Sequence, residues 1–231
     1  MSAEHEKKLA AEAAAELVSD GMSVGLGTGS TVAYLLPALA ARGLNLRCVA
    51  TSPATERRAR ELGITVESFR GTSAPARLDI AIDGADQVAR SGWLVKGGGG
   101  AHTREKAVAA AADRFVVIVS SDKLVERLKP PVPLELLQFG LAATLKRLGT
   151  VALRDVPPSP EGGVIADFTG AFDDPEALER RLSATVGVVE HGLFGADLVS
   201  DIVVARGDHV EHVTVTLVQR APQPAVGRRD R

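Results

Sequence analysis

The sequence is poor in the residues that several kinds of functional site require. Cys48 is the only cysteine among 231 residues, so no intramolecular disulfide and no cysteine-cluster metal site can form. Its apolar surroundings predict an inert core thiol. Aromatic residues make up only 3% of the chain, too few for a surface that binds nucleic acid by stacking bases. The sequence also lacks a run of roughly 18 apolar residues, which a membrane-spanning helix would need.

The chain carries no large excess of charge. Lys and Arg number 27 against 29 Asp and Glu, for a formal net charge of −2, which argues against a general nucleic-acid binder. The N-terminal segment contains Glu and Lys in its first turns and no unbroken apolar core, unlike a signal peptide. We therefore expect a cytoplasmic protein that binds neither nucleic acid nor membrane.

What is present is an alternation of apolar strands with helical segments. Hydrophobic residues make up 45% of the chain, enough for a substantial core. Strands alternating with helices predict right-handed βαβ units and an α/β fold: a Rossmann-like, mostly parallel sheet with helices on both faces. The predicted strands are 22–26, 46–51, 64–69, 78–83 and 115–120, and the predicted helices are 3–19, 31–43 and 52–63.

The pattern changes near residue 129, where KPPVPLELL contains three prolines and suggests a crossing between domains. The following segments predict a smaller α+β domain over 129–198, with a ferredoxin-like arrangement. They are helices at 139–148 and 174–184, strands at 150–154, 164–168 and 186–190, and a Pro/Gly-rich turn at 157–163. Two further strands in 199–220 return to the main domain, which otherwise comprises 1–128. The tail, 221–231, is polar with prolines and is expected to be disordered.

The first candidate site is the loop GLGTGST at 25–31, between a predicted strand and helix. Backbone N–H groups at a helix N-terminus bind anions, and glycines let a phosphate approach them. The loop has no lysine before Ser30-Thr31, so it is not a P-loop. Ser30 stands where a dinucleotide fingerprint needs its third glycine. The remaining interpretations are an anion site and a tight turn capped by hydroxyl groups.

The second candidate is DGAD at 83–86, directly after the predicted strand LDIAID. In open parallel sheets, ligands bind beyond the carboxyl ends of the strands, where Asp83 and Asp86 could share a pocket. Neighbouring carboxylates also raise each other's pKa. The alternative is an Asx-turn that ends the strand.

The third candidate is VKGGGGAHTREK at 95–106. Lys96 ends a short predicted strand (93–96), and four consecutive glycines can expose backbone N–H groups as an anion-binding nest. Thr103 is a plausible cap for the next helix, with Glu105 in its first turn, where a carboxylate also suits the helix dipole. His102 lies where it could line a pocket, and we assign it no role. Lys123, after the strand 115–120, brings a further positive charge or is simply solvated.

In this order and spacing, the motifs resemble those of the A-type ribose-5-phosphate isomerases. The matching segments are GTGST (27–31), DGAD (83–86), KGGGGAHTREK (96–106) and SDK (121–123), and the early Lys7-Lys8 pair also fits. The resemblance implies interconversion of ribose 5-phosphate and ribulose 5-phosphate, a step of the non-oxidative pentose phosphate pathway. It implies no metal and no organic cofactor. It also implies that 129–198 is a lid and oligomerisation domain, and that the protein is a homodimer or homotetramer.

The resemblance assigns Glu105 as the catalytic base, with Lys96, Asp83 and Asp86 also in the catalytic machinery. Lys96 and the glycine N–H groups are suited to stabilise an enediolate, whereas Asp83 and Asp86 can hold hydroxyls, relay protons or assist ring opening. The implied substrate-binding positions are Thr28, Gly29, Ser30, Thr31, Asp83, Gly84, Ala85, Asp86, Lys96, Gly97, Gly98, Gly99 and Lys123, with Lys7 as a further phosphate ligand.

The sequence departs from the family pattern in a few places, and other functions compete. Gly100 is a fourth glycine, His102 replaces an apolar residue, and SPEGG (159–163) replaces the usual turn of the lid. The rival functions are a sugar-phosphate sensor domain, an aminosugar-phosphate deaminase of related fold, and a CoA transferase, for which the chain is short. A sensor would normally carry a helix-turn-helix, and the residues before Gly21 have room for one helix only.

Overall fold

The computed structural model describes residues 2–215. Its helices are α1 (Ala3–Ala15), α2 (Val32–Ala41), α3 (Pro53–Glu61), α4 (His102–Ala111), α5 (Leu141–Leu148) and α6 (Pro175–Ser183). Its strands are β1 (Ser23–Leu26), β2 (Arg47–Ala50), β3 (Leu78–Asp83), β4 (Gln87–Ala89), β5 (Leu94–Val95), β6 (Ala112–Ser120), β7 (Leu124–Val125), β8 (Val132–Leu136), β9 (Val151–Leu153), β10 (Val164–Phe168), β11 (Val188–His191), β12 (Leu193–Phe194), β13 (Asp201–Arg206) and β14 (His209–Thr214). The predicted tail, 221–231, lies outside the described residues. Within 2–215, no helix is both long and apolar enough to cross a bilayer.

The main sheet has the order β14-β13-β6-β3-β1-β2. All its neighbouring pairs are parallel except the edge pair β13–β14. Side chains alternate between the two faces of a strand. In β3, Ile80 and Ile82 therefore pack in a core with α1 and α2, whereas Ala81 packs on the opposite face with Val108 of α4. The predicted α/β sheet with helices on both faces is confirmed.

A separate sheet, β11-β8-β10-β9, is entirely antiparallel and belongs to the smaller domain. Along the chain its elements follow the order β8-α5-β9-β10-α6-β11. This βαββαβ order is that of the ferredoxin-like fold. A third, short sheet, β12-β5-β4-β7, links the chain on either side of this domain, because β12 follows it and pairs with β5.

The sequence-based assignment of strands differs from the structure in two places. The proline-rich segment 129–137, for which no strand was predicted, contains the buried central strand β8 of the smaller domain. Pro133 has no N–H to donate to a neighbouring strand. It is tolerated in β8 because β11 pairs only with Leu134, Glu135 and Leu136, so Pro133 lies outside that pairing. Conversely, 64–69 is not a strand. Val66 forms a single bridge with Cys48 at the edge of the sheet, and the chain then turns away.

Cys48 is buried, as the sequence predicts, and burial raises the pKa of its thiol to about 12. A thiol with so high a pKa is scarcely ionised at neutral pH and is therefore a poor nucleophile. Cys48 is a core residue of β2.

Candidate active site

The loops that follow β1, β3, β5 and β6 meet beyond the carboxyl ends of the strands and line one cavity of about 140 Å³. Parallel neighbours in the main sheet place the loops after β1, β3 and β6 together, whereas β5 reaches the cavity from the short sheet, where both its neighbours are antiparallel. The lining residues are Thr28, Gly29, Ser30, Thr31, Gly84, Ala85, Asp86, Lys96, Gly97, Gly98, Gly99, Glu105 and Lys123. The structure therefore brings together all but two of the predicted site residues, Asp83 and Lys7.

Asp83 lies just beneath this cavity and connects its loops. Its Oδ1 accepts hydrogen bonds from the N–H groups of Thr28 (3.0 Å) and Gly84 (2.7 Å). The loop approaches so closely that a Cβ at Gly27 would lie 2.1 Å from Asp83 Cγ, which explains a glycine at this position. Thr31 is the N-cap of α2 but makes no capping hydrogen bond with its side chain. A capping turn therefore does not account for the Thr31 hydroxyl.

A buried charge cluster forms the floor of the site. Lys96 Nζ lies 3.0 Å from Asp83 Oδ2 and 3.1 Å from Glu105 Oε2. It also donates a hydrogen bond to the Gly84 carbonyl at 2.5 Å. The relative exposures are 2% for Lys96, 3% for Asp83 and 5% for Glu105. One ammonium group thus forms ion pairs with two carboxylates that are almost completely buried.

Burial sets the protonation behaviour of the cluster. It raises the pKa of Glu105 to about 7, against the effect of the Lys96 ammonium and with a further contribution from the Asp83 carboxylate. Burial also disfavours the charge of Lys96, but the Asp83 and Glu105 carboxylates outweigh it, and the pKa of Lys96 is raised. At neutral pH Lys96 is therefore charged, and Glu105 is poised between its two protonation states.

The glycine run folds into a tight turn rather than an open nest. The Gly100 N–H donates to the Gly97 carbonyl at 2.9 Å, and the Gly98 N–H donates to Asp86 Oδ2 at 2.8 Å. The prediction that the whole run exposes its N–H groups was therefore wrong for Gly98 and Gly100. Gly97 and Gly100 have φ of +100° and +73°, a region that glycine adopts without strain. The fourth glycine thus has a physical reason, since it closes the turn before α4.

The helix α4 differs from its sequence prediction at its start. It begins at His102, and the Thr103 hydroxyl donates a hydrogen bond to the buried Glu135 of β8 instead of capping the helix. The side chain of His102 is fully buried and does not line the cavity, so the suggestion that it could line the pocket was wrong. Burial, together with the nearby Lys106 ammonium, lowers the pKa of His102 to about 4. It is therefore a neutral core residue at physiological pH.

The two lysines proposed for the phosphate end differ in position. Lys123 lines the cavity and its side chain is 35% exposed, whereas Lys7 lies outside the lining, with Nζ 2.5 Å from Glu4 Oε1. Sequence reasoning missed the neighbouring Glu6 of α1. Its carboxylate accepts hydrogen bonds from the N–H and hydroxyl of Ser121, both at 2.8 Å, and so holds the turn that carries Lys123. A glutamate in an alanine-rich helix offers no sequence signal for this role.

A larger cavity of about 470 Å³ lies beside α4 and includes none of the charge cluster. Its charged side chains are held in ion pairs, Arg60 with Glu56, Arg104 with Glu161, and Glu67 with Arg47 outside the cavity. The smaller cavity, where Glu105 and Lys96 meet the glycine loops, is therefore the better candidate for chemistry.

Comparison with known proteins identifies the family of this chain. The family model for ribose 5-phosphate isomerase A (phosphoriboisomerase A) matches residues 47–209. Ribose-5-phosphate isomerase A of Gluconobacter oxydans is 44% identical over 223 residues, which cover 89% of this chain and 95% of that protein. The Halobacterium salinarum protein of the same name is 46% identical over 205 residues, covering 84% and 88%.

Solved structures show the same fold. Ribose 5-phosphate isomerase A from Neisseria gonorrhoeae superposes with a TM-score of 0.87 at 30% identity, covering 94% of this chain and 99% of that one. A D-ribose-5-phosphate isomerase in complex with phospho-erythronic acid gives 0.85 at 34% identity, covering 93% and 100%. Sequence and fold lead to one conclusion: the chain belongs to the ribose 5-phosphate isomerase A family.

Proposed function

We propose that this protein interconverts D-ribose 5-phosphate and D-ribulose 5-phosphate through an enediolate, with Glu105 as the general base. The observation that carries the proposal is the buried Glu105, whose pKa is about 7, beside the Lys96 ammonium at the edge of a cavity lined by glycine loops. The names of the relatives support the substrate.

The reaction needs one base that both removes and returns a proton. Glu105 takes the proton from C2 of the open-chain aldose, and the electrons move to the C1 carbonyl oxygen to form the enediolate. The proton then returns to C1, while a proton moves from the C2 oxygen to the C1 oxygen. A base works best when its pKa lies near the working pH, as burial arranges for Glu105.

Lys96 is suited to stabilise the negative charge that develops on the sugar oxygens. It lies at the same cavity and is held charged by two carboxylates. Such a preorganised charge in a site with little water costs no reorganisation during the reaction. We assign it electrostatic stabilisation of the enediolate.

Asp83 and Asp86 have different roles, the first structural and the second in contact with the substrate. Asp83 is buried, with Oδ1 engaged by two N–H groups and Oδ2 beside Lys96, so its role is to hold the loops and the ammonium. Asp86 lines the cavity, and we assign it the substrate hydroxyls or the transfer of a proton between the sugar oxygens.

We place the phosphate near Ser30, Thr31 and Lys123. These residues line the same cavity, at the start of α2, where backbone N–H groups favour an anion. A relative with this fold has been solved with phospho-erythronic acid, a phosphorylated sugar acid. That ligand carries a phosphate at one end and hydroxyl and carboxylate oxygens at the other, the two kinds of group that we expect this cavity to bind.

The direct test is incubation of the purified protein with ribose 5-phosphate in EDTA, with the ketose measured over time. We expect ribulose 5-phosphate to accumulate to an equilibrium mixture. If the ligand binds without turnover, the protein is a sensor and the proposal fails. Release of ammonia from glucosamine 6-phosphate would instead support the deaminase.

The pH profile should report the buried base. Because Glu105 must be deprotonated to accept a proton, and its pKa is about 7, kcat should fall as the pH drops through 7. The measurement is kcat between about pH 5 and 9 at saturating substrate. Circular dichroism at each pH controls for unfolding. A profile that stays flat down to about pH 5 would show that the base has an ordinary carboxyl pKa.

We also propose that two copies associate through the smaller domain. Phe139 is 94% exposed, Val186 78% and Leu137 50%, and the Leu137 N–H bonds the carbonyl of Gly187, so these apolar side chains lie close together. Exposed apolar clusters mark interaction surfaces. We expect sedimentation to give a dimer or tetramer, and Phe139→Ser to shift it toward monomer. A monomeric wild-type protein would contradict the proposal.

A further inference from the structure

The smaller domain lines no part of the catalytic cavity among the described residues, yet it reaches the glycine loop from behind. Arg154, which directly follows β9, donates hydrogen bonds from Nη1 to the carbonyl oxygens of Gly97 (3.1 Å) and Gly98 (2.8 Å). A cavity of about 520 Å³ on this side is lined by Arg154 and by Gly98 and Gly99, which also line the catalytic cavity. The glycine loop thus separates the two cavities, with Arg154 on the side away from the catalytic cavity.

The guanidinium group of Arg154 is itself held in place. Asp167 of β10 accepts hydrogen bonds from Nε (2.8 Å) and Nη2 (2.7 Å) of Arg154. Both side chains are less than one-fifth exposed, at 19% and 18%. A bidentate pair of this kind fixes the plane of the guanidinium as well as its position. Nη1 is therefore presented to the loop in a defined direction.

This contact determines which way the peptide groups of the loop face. In a trans peptide the C=O and N–H groups point in opposite directions. The Gly97 carbonyl is held by Arg154, and the N–H of the same peptide unit, that of Gly98, donates to Asp86 on the other side at 2.8 Å. In the next peptide unit Arg154 holds the Gly98 carbonyl, so the Gly99 N–H is directed to the side of Asp86 and the catalytic cavity.

We infer that Arg154, braced by Asp167, is a positioning residue that aims the Gly99 N–H and Asp86 at the reacting sugar. Consecutive glycines have the greatest conformational freedom, so without such a brace the loop would sample several peptide orientations. A cation on the carbonyl also polarises the peptide and strengthens its N–H as a donor. This inference rests on the proposed isomerase function.

The test compares steady-state kinetics of Arg154→Met, Arg154→Lys and Asp167→Asn with the wild type. We expect Arg154→Met to lower kcat about tenfold to hundredfold, as misplacement of catalytic groups does, with a smaller change in KM. Lysine should restore part of kcat, because it supplies a donor without the fixed fork, and Asp167→Asn should be intermediate.

Inhibition by phospho-erythronic acid should weaken by a larger factor than KM changes. The acid limb of the pH profile should stay near pH 7, since burial and the Lys96 ammonium act most strongly on the pKa of Glu105.

The matched control is Arg181→Met. Arg181 also donates to a backbone carbonyl in the smaller domain, that of Leu148 at 2.8 Å, but does not line either cavity. Its loss should leave kcat and KM unchanged.

The inference is overturned if Arg154→Met folds and keeps wild-type kcat, or if Arg181→Met lowers kcat equally. If Arg154→Met does not fold, Arg154→Lys and Asp167→Asn decide by the same criteria. A wild-type protein that produces no ketose would refute the isomerase function instead.

Discussion

Replacing Glu105 with glutamine should remove nearly all isomerase activity and leave the fold intact. Glutamine has the shape of glutamate and can still accept a hydrogen bond from Lys96, but it cannot take up a proton from the substrate. General-base catalysis contributes about 10²–10⁴-fold, so kcat for ribose 5-phosphate should fall by about that factor. The measurement is turnover of the purified variant at about pH 8, where wild-type Glu105 is ionised.

Stability gives an independent readout of the same substitution. The pKa of Glu105 rises from an ordinary value of 4.5 to about 7 in the folded protein, so ionisation is disfavoured by folding. The wild-type protein therefore loses stability from Glu105 as the pH rises through this interval, and glutamine does not. We expect Glu105→Gln to be at least as stable as the wild type at alkaline pH.

The matched control is Glu161→Gln. Glu161 is another glutamate near α4, but it contacts Arg104 and lies outside the catalytic cavity. It should keep wild-type kcat. The assignment of Glu105 fails if Glu105→Gln is folded, binds substrate and turns it over at the wild-type rate.

Lys96→Met should have the largest effect on stability. Methionine keeps the length of the side chain but removes the cation that faces the buried carboxylates of Asp83 and Glu105. Removing one partner of a buried ion pair typically costs about 3–5 kcal/mol, because the other charge is left uncompensated. Activity should also be lost, since the enediolate loses its counter-charge. Urea unfolding at about pH 8 and at about pH 5 measures the effect.

The pH dependence distinguishes charge from packing. Without Lys96, the carboxylates bind protons more readily, so the loss of stability should be largest at alkaline pH and smaller as the pH falls and Glu105 is protonated. The double variant Lys96→Met, Glu105→Gln should recover part of the stability but no activity. Lys123→Met, which removes a lysine that is 35% exposed from the same cavity, should hardly change the free energy of unfolding. A Lys96→Met protein that unfolds like the wild type at both pH values would contradict the ion cluster.

Much of the fold could be predicted because local patterns and packing agree. Strands such as β3 and β6 are apolar on both sides, as expected when helices cover both faces of a sheet. The errors arose where local chemistry misleads. The three prolines of 129–137 disfavour a strand, so β8 was not predicted; it forms because Pro133 lies outside the pairing with β11. The β-like pattern of 64–69 met only the single partner Cys48 at the sheet edge.

The glycine loop, DGAD and the segment 95–106 could be proposed as parts of one site from their motifs and their positions after predicted strands. Only the structure shows that Lys96 and Glu105 follow β5, which belongs to the short sheet and not to the main parallel sheet. The family could also be recognised from these motifs. The protonation state of Glu105 could not be predicted, because it depends on burial, on the distance to Lys96 and on Asp83, which another loop brings in. The same holds for Arg154, which lies 56 residues from the Gly98 carbonyl it contacts. Motif order and strand ends are properties of the chain, whereas solvent exclusion and long-range contacts exist only once the domains have packed.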